Sequence, residues 1–158
     1  MVQEGMLSQN IIDMFVGAAH GDFERVKGML EEDPGLLNAQ ATWQEIAVEA
    51  AAQTGDEKIA HYLLERGAPL DIYTAASLGM EEEVRKFLEQ EPELVRSVGV
   101  HNLPVLYFAA VGGRIKTAEI LLERGADINA GTGGNTPLHG AAWLGHTEMV
   151  RWLLKHGA

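Results

Sequence analysis

Apolar positions along this chain fall into one figure, repeated around five glycines: Gly21, Gly55, Gly79, Gly113 and Gly145. Five, eight and nine residues after them come Val26, Met29 and Leu30; Ala60, Leu63 and Leu64; Val84, Phe87 and Leu88; Ala118, Leu121 and Leu122; Val150, Leu153 and Leu154. Spacing of i, i+3 and i+4 gathers the three side chains on one stripe of a helix, with Glu24, Lys58, Glu83, Lys116 and Arg151 on the remaining arc. Four and three residues before the glycines stand Gly17-Ala18, Ala51-Ala52, Ala75-Ala76, Ala109-Ala110 and Ala141-Ala142, nine of the ten being alanine. These pairs predict a shorter first helix, where a methyl group lets neighbouring backbones approach closely. The glycine between the helices can take positive φ at a tight reversal. The pattern therefore predicts an all-α solenoid of five helix-turn-helix units stacked on a shared interior.

The run Thr136-Pro137-Leu138-His139-Gly140-Ala141-Ala142-Trp143-Leu144-Gly145-His146 resembles the signature of ankyrin repeats, and Val150 to Ala158 is similar to that family's second helix and following Gly-Ala. Thr136 is placed to cap the helix, and Pro137 fills its first position, where a missing N–H costs nothing. With four more degenerate copies the resemblance covers about residues 10 to 158. The expected division is a tail over 1–8 and a repeat domain over 9–158, its units at about 9–38, 42–69, 70–96, 103–130 and 135–158.

Departures from the pattern are orderly. Gly21 and Gly79, Gly55 and Gly113, and Pro34 and Pro92 are each separated by 58 residues, so the first four units read as a duplicated two-repeat module followed by a fifth unit. Gly55 and Gly79 are only 24 residues apart, about ten short of the usual ankyrin period. Residues 67–72 are too few for a projecting finger, so a direct helix-to-helix connection and a notched edge are expected between units two and three. At the other end Met149 and Trp152 read as uncovered, which suggests a fragment of a longer array or self-association through the C-terminal end.

Charge narrows the partners. Asp plus Glu number 23 against 12 Lys plus Arg, a formal net charge of −11, and such a surface repels phosphate backbones, so nucleic acid is not expected. No run approaches the roughly 18 apolar residues of a membrane span, and Met1 to Gln9 has no signal-peptide pattern. The chain has no Cys, which removes disulfides and thiolate chemistry; a cytoplasmic location is the default expectation.

Candidate chemistry is thin. Of the six histidines, none forms H-E-x-x-H, so no metal is expected; the ankyrin resemblance implies that His139 and His146 hydrogen-bond local backbone. Gly131 to Thr136 looks like a phosphate loop but lacks its lysine and preceding strand. Acidic runs at Glu31 to Asp33, Glu81 to Glu83 and Glu89 to Glu93 read as solvated turns and helix starts more than as a docking face. Ser8, Ser77 and Ser97 have no nucleophile context. Neither catalysis nor a cofactor is expected.

What the resemblance implies is a non-enzymatic module that binds another protein through the concave surface made by first helices and fingers. In the family the two residues before each anchoring glycine face that surface: Ala19 and His20, Gln53 and Thr54, Ser77 and Leu78, Val111 and Gly112, Trp143 and Leu144. Trp43 and His101, 58 apart at equivalent finger-to-helix junctions, and Asn102 join them. The candidate partner-binding set is Trp43, Gln53, Leu78, His101, Asn102, Val111, Trp143 and Leu144, with Trp143 and Leu144 as the centre because large aromatics dominate interface energetics. Trp43 and Trp143 could equally seal contacts between neighbouring first helices. The alternative function is an assembly or regulatory subunit that binds its own chain or covers an adjoining domain. Placement of the second helices is checked by Leu63→Ala or Leu121→Ala, each expected to cost about 2–5 kcal/mol in equilibrium unfolding through the cavity left behind; unchanged unfolding would refute that placement.

Overall fold

A computed structural model describes residues 7–158. Of the expected tail, residues 1–6 lie outside the described residues. Ten α-helices follow in antiparallel pairs: α1 Gln9–Ala18 with α2 Phe23–Glu32, α3 Ala47–Thr54 with α4 Glu57–Leu64, α5 Ile72–Leu78 with α6 Glu81–Gln90, α7 Val105–Val111 with α8 Ile115–Glu123, and α9 Pro137–Trp143 with α10 Thr147–Lys155. No strand occurs among the described residues, only an isolated bridge between Val98 and Pro104. The fold is the ankyrin-type helical solenoid that the spacing predicts.

Local chemistry sets the helix ends. Asp22, Asp56 and Asp71 accept the backbone N–H groups of Arg25, Ile59 and Thr74 at 3.1, 2.9 and 2.7 Å, opening α2, α4 and α5. α3 begins differently: the Glu49 carboxylate accepts the Ile46 N–H at 2.9 Å, and burial pushes its pKa up. At the start of α9, Pro137 takes the first turn and the Thr136 hydroxyl oxygen accepts the His139 N–H, long at 3.4 Å.

First helices stack on one another, α1 on α3, α3 on α5, α5 on α7 and α7 on α9, while α2 packs on α4 and α6 on α8. The alanine pairs sit in this inner row, with Ala51, Ala52, Ala75, Ala76, Ala109, Ala110 and Ala141 no more than 1% exposed. At the ends of the array, where one neighbour is lacking, Gly17 and Ala142 are exposed. The second-helix stripe is buried through Val26, Leu30, Ala60, Leu63, Val84, Leu88, Ala118, Leu121 and Leu153. The interior falls into two packed parts, one around α1 to α4 and one around α5 to α10, rather than a single body. They meet where α3 faces α5 through alanines and Ser77, whose hydroxyl donates to the Ala52 carbonyl at 2.8 Å, and where Leu78 and Met80 pack against the first two units.

Residues 65–71 join α4 directly to α5, whereas residues 33–46, 91–104 and 124–136 form longer excursions before α3, α7 and α9. Two of those excursions share one turn at the 58-residue offset. Gln44 and Asn102 both have left-handed φ, 65° and 57°. Ala41 and Gly99 donate to the carbonyls of Glu45 and Leu103, both at 2.9 Å.

Besides its sequential neighbours, α3 touches α7 across α5. Gly55, at φ 68°, ends α3 so close to α7 that a Cβ there would lie 2.6 Å from the Val111 carbonyl oxygen and 3.2 Å from Leu144 Cδ1. A Cβ on Gly112 would lie 2.0 Å from the Ser77 carbonyl oxygen. Arg114 spans the same junction, its Nε donating to the Ser77 carbonyl at 3.1 Å and its guanidinium to Glu57 at 2.6 Å.

Two further expectations change. Met149 is 1% exposed and part of the core, because α10 turns it inward against the preceding unit. Trp152 is half-buried and stacks on His156 with ring centroids 4.2 Å apart. Gly112→Ala is expected to cost about 1–3 kcal/mol, since backbone must move to admit the methyl, whereas Gly17→Ala, which meets nothing within 4 Å, should be neutral or stabilising by up to about 1 kcal/mol. Urea unfolding of both variants checks this, and equal effects would contradict the close approach of α5 and α7.

Candidate concave recognition site

The curl that brings α3 to α7 turns the open inner face into a recess of about 320 Å³. Gln53 and Thr54 from α3 form one side, Trp143 and Leu144 the other, and Val111 and Tyr107 from α7 lie between them. His101, Leu103 and Asn135 close the finger end. Of the eight residues expected at a partner surface, five therefore share one cavity: Gln53, His101, Val111, Trp143 and Leu144.

Their exposure separates their roles. Trp143 is 88% exposed and seals no contact between first helices. Leu144 is partly exposed at 38%. Val111 is buried, at 2%, so it is floor rather than projecting surface; its carbonyl accepts from His146 Nε2 at 2.7 Å. Leu78 is corrected outright. It is 8% exposed and packs into the interior of the first two units, because the last turn of α5 lies against α3. Ala19 and Ser77 are likewise buried.

Trp43 and Asn102 are exposed on neighbouring fingers outside the recess. The Trp43 indole donates to Glu45 Oε2 at 2.6 Å. Asp13 fixes that first finger: its carboxylate accepts from Gln9 Nε2, Thr42 N and Thr42 Oγ1, each at 2.9 Å. These hydrogen bonds, Gln9 foremost, hold the Asp13 pKa below its ordinary value.

Sequence reasoning missed Glu45. It is 0% exposed, with His20 Nε2 at 3.5 Å and His101 Nε2 at 3.7 Å from Oε2. Gln53 Nε2 lies 2.8 Å from His20 Nε2, which links this cluster to the recess wall. His101 reaches it from a left-handed backbone, φ 54°, a conformation that costs on the order of 1–3 kcal/mol in a residue other than glycine. The signal was available: the 58-residue offset sets Glu45 against Leu103, a carboxylate at an apolar position. Tyr107, also missed, has its phenol pKa raised by burial.

The histidines at the signature positions bind within the scaffold. His146 bonds Val111 as above, and His139 Nδ1 lies 2.6 Å from Thr136 Oγ1. Among the described residues no three His, Asp or Glu side chains are grouped as a metal ion would need, and no helix is long and apolar enough to cross a membrane.

A stack of helix pairs with a hollow inner face defines a repeat-type recognition scaffold. The family model for ankyrin repeats in three copies matches residues 72–158, and the chain belongs to the ankyrin-repeat family. It is 34% identical over 98 residues to mouse (Mus musculus) palmitoyltransferase ZDHHC13, covering 61% of this chain and 16% of that protein. To rat (Rattus norvegicus) palmitoyltransferase ZDHHC17 it is 34% identical over 90 residues, 56% of this chain and 14% of that protein. A putative ankyrin repeat protein of Rickettsia felis is 25% identical over 155 residues, covering 92% of this chain and 58% of the relative. The chain thus spans only about one-sixth of the palmitoyltransferases it matches, and ankyrin repeats as a class are protein-interaction modules rather than enzymes.

Proposed function

We propose that this protein is a non-enzymatic recognition module that captures another protein in the recess between α3, α7 and α9. The observation that carries the reading is Trp143, 88% exposed at the rim of a 320 Å³ hollow whose floor is Val111 and whose sides are Leu144, Tyr107 and Gln53. An exposed tryptophan contributes nothing to the stability of its own fold, and a partner that covers it gains a large apolar area with few rotors lost. Leu144 adds apolar surface, and His101 and Gln53 add polar groups to orient the partner. Trp43 and Asn102 flank the recess on the fingers and extend the contact for a partner longer than the cavity. A cytoplasmic setting suits a cysteine-free module of this kind.

A second reading makes the repeats an assembly or regulatory segment that binds its own chain or covers an adjoining domain. It is favoured by the relatives named palmitoyltransferases, in which the matching stretch is a small part of a longer protein.

Affinity capture with wild type, Trp143→Ala and the convex-face variant Glu119→Ala tests both. Trp143→Ala should keep the thermal midpoint within a few degrees and lose the captured proteins, while Glu119→Ala retains them. Equal capture by all three would overturn the recess as the site, and recovery of a second copy of this chain alone would favour the assembly reading.

A further inference from the structure

Stacking explains nearly every buried side chain except Glu45. Its Oε2 accepts from Trp43 and has imidazoles at 3.5 and 3.7 Å, while Oε1 is buried without a hydrogen-bond partner among the described residues. Among those residues no lysine or arginine pairs with it. A buried carboxylate without a full complement of partners is costly. The fold does not require it: Leu103, at the equivalent place of the same turn, is 4% exposed and apolar. His20, Glu45 and His101 are not grouped as ligands of a common metal.

The carboxylate lies behind the recess. His101 belongs to both the recess lining and the Glu45 cluster, and Gln53 joins them through His20. The lining includes no lysine or arginine, and the nearby Arg114 is engaged by Glu57 and the Ser77 carbonyl. Aromatic side chains at the opening, no lysine or arginine in the lining and the Glu45 carboxylate behind His101 suit an organic cation on an apolar stem.

We infer that the recess receives a basic side chain, arginine or lysine, from a partner polypeptide, its stem along Trp143 and Leu144 and its charge toward His101, behind which the buried Glu45 carboxylate lies. The inference rests on the recess being the partner-binding surface, and it names the chemistry that surface selects. A chain of net charge −11 also draws a basic segment in from a distance.

The test is selection of a displayed random dodecapeptide library on wild type, followed by Kd measurement by fluorescence polarisation. Recovered peptides should lose binding to Trp143→Ala and share a basic position. Replacing that residue by citrulline or norleucine should weaken wild-type binding at least about tenfold. Glu45→Leu, which copies Leu103, should bind the charged and neutral forms within about twofold of each other. Peptides that need Trp143 but bind equally well once neutralised, or keep their charge preference on Glu45→Leu, overturn the basic-side-chain assignment and leave the recess standing. Peptides indifferent to Trp143→Ala, or no peptides at all, overturn both. The neutralised peptides on wild type decide the matter even if Glu45→Leu folds poorly.

Discussion

The architecture depends on backbone contact at the C-terminal ends of the inner helices. There α3 meets α7 with room for no side chain between Gly55 and the Val111 carbonyl, and α5 meets α7 with none between Gly112 and the Ser77 carbonyl. Contacts of this kind need residues without Cβ atoms at the crossing and methyl-sized ones beside it, which is what the alanine pairs and paired glycines supply. Side-chain packing then only has to fill the outer layer between first and second helices, where one apolar stripe per unit is enough.

The recess lies beside that contact. In evenly spaced ankyrin units the first helices would fan along an open surface, each presenting its last turn. Here residues 65–71 join units two and three directly, Leu78 is buried against the first two units, and Gln53 and Thr54 of α3 line one cavity with Trp143 and Leu144. Arg114, which holds Glu57 and the Ser77 carbonyl together, spans the same three units, although an ion pair this exposed adds little stability of its own.

The helices were legible because burial and periodicity carry the same information: Val84 and Leu88, or Leu121 and Ala118, could lie on only one stripe. Trp143 and Gln53 were legible as surface through the ankyrin resemblance, which sets the position two before the reversal on the inner face; the same rule fails at Ala19 and Ser77, which neighbouring helices bury. Leu78 was not, since its burial is decided by how two units approach rather than by its own helix. Glu45 was overlooked for the opposite reason: it is a finger residue in a polar stretch, and only alignment with Leu103 in the duplicated module shows that its site is interior. The exposure of Met149 was misjudged because α10 turns it inward into the core shared by α5 to α10.

The direct test of the close approach is a carbon-edited NOESY spectrum of the full chain. Cross-peaks from the Gly55 α-protons to the Leu144 δ-methyls are predicted, given the 3.2 Å between an ideal Gly55 Cβ and Leu144 Cδ1. A spectrum that shows α7 beside α5 and α9 beside α7 but lacks any Gly55–Leu144 cross-peak would contradict the account, leaving an open inner face instead of a recess.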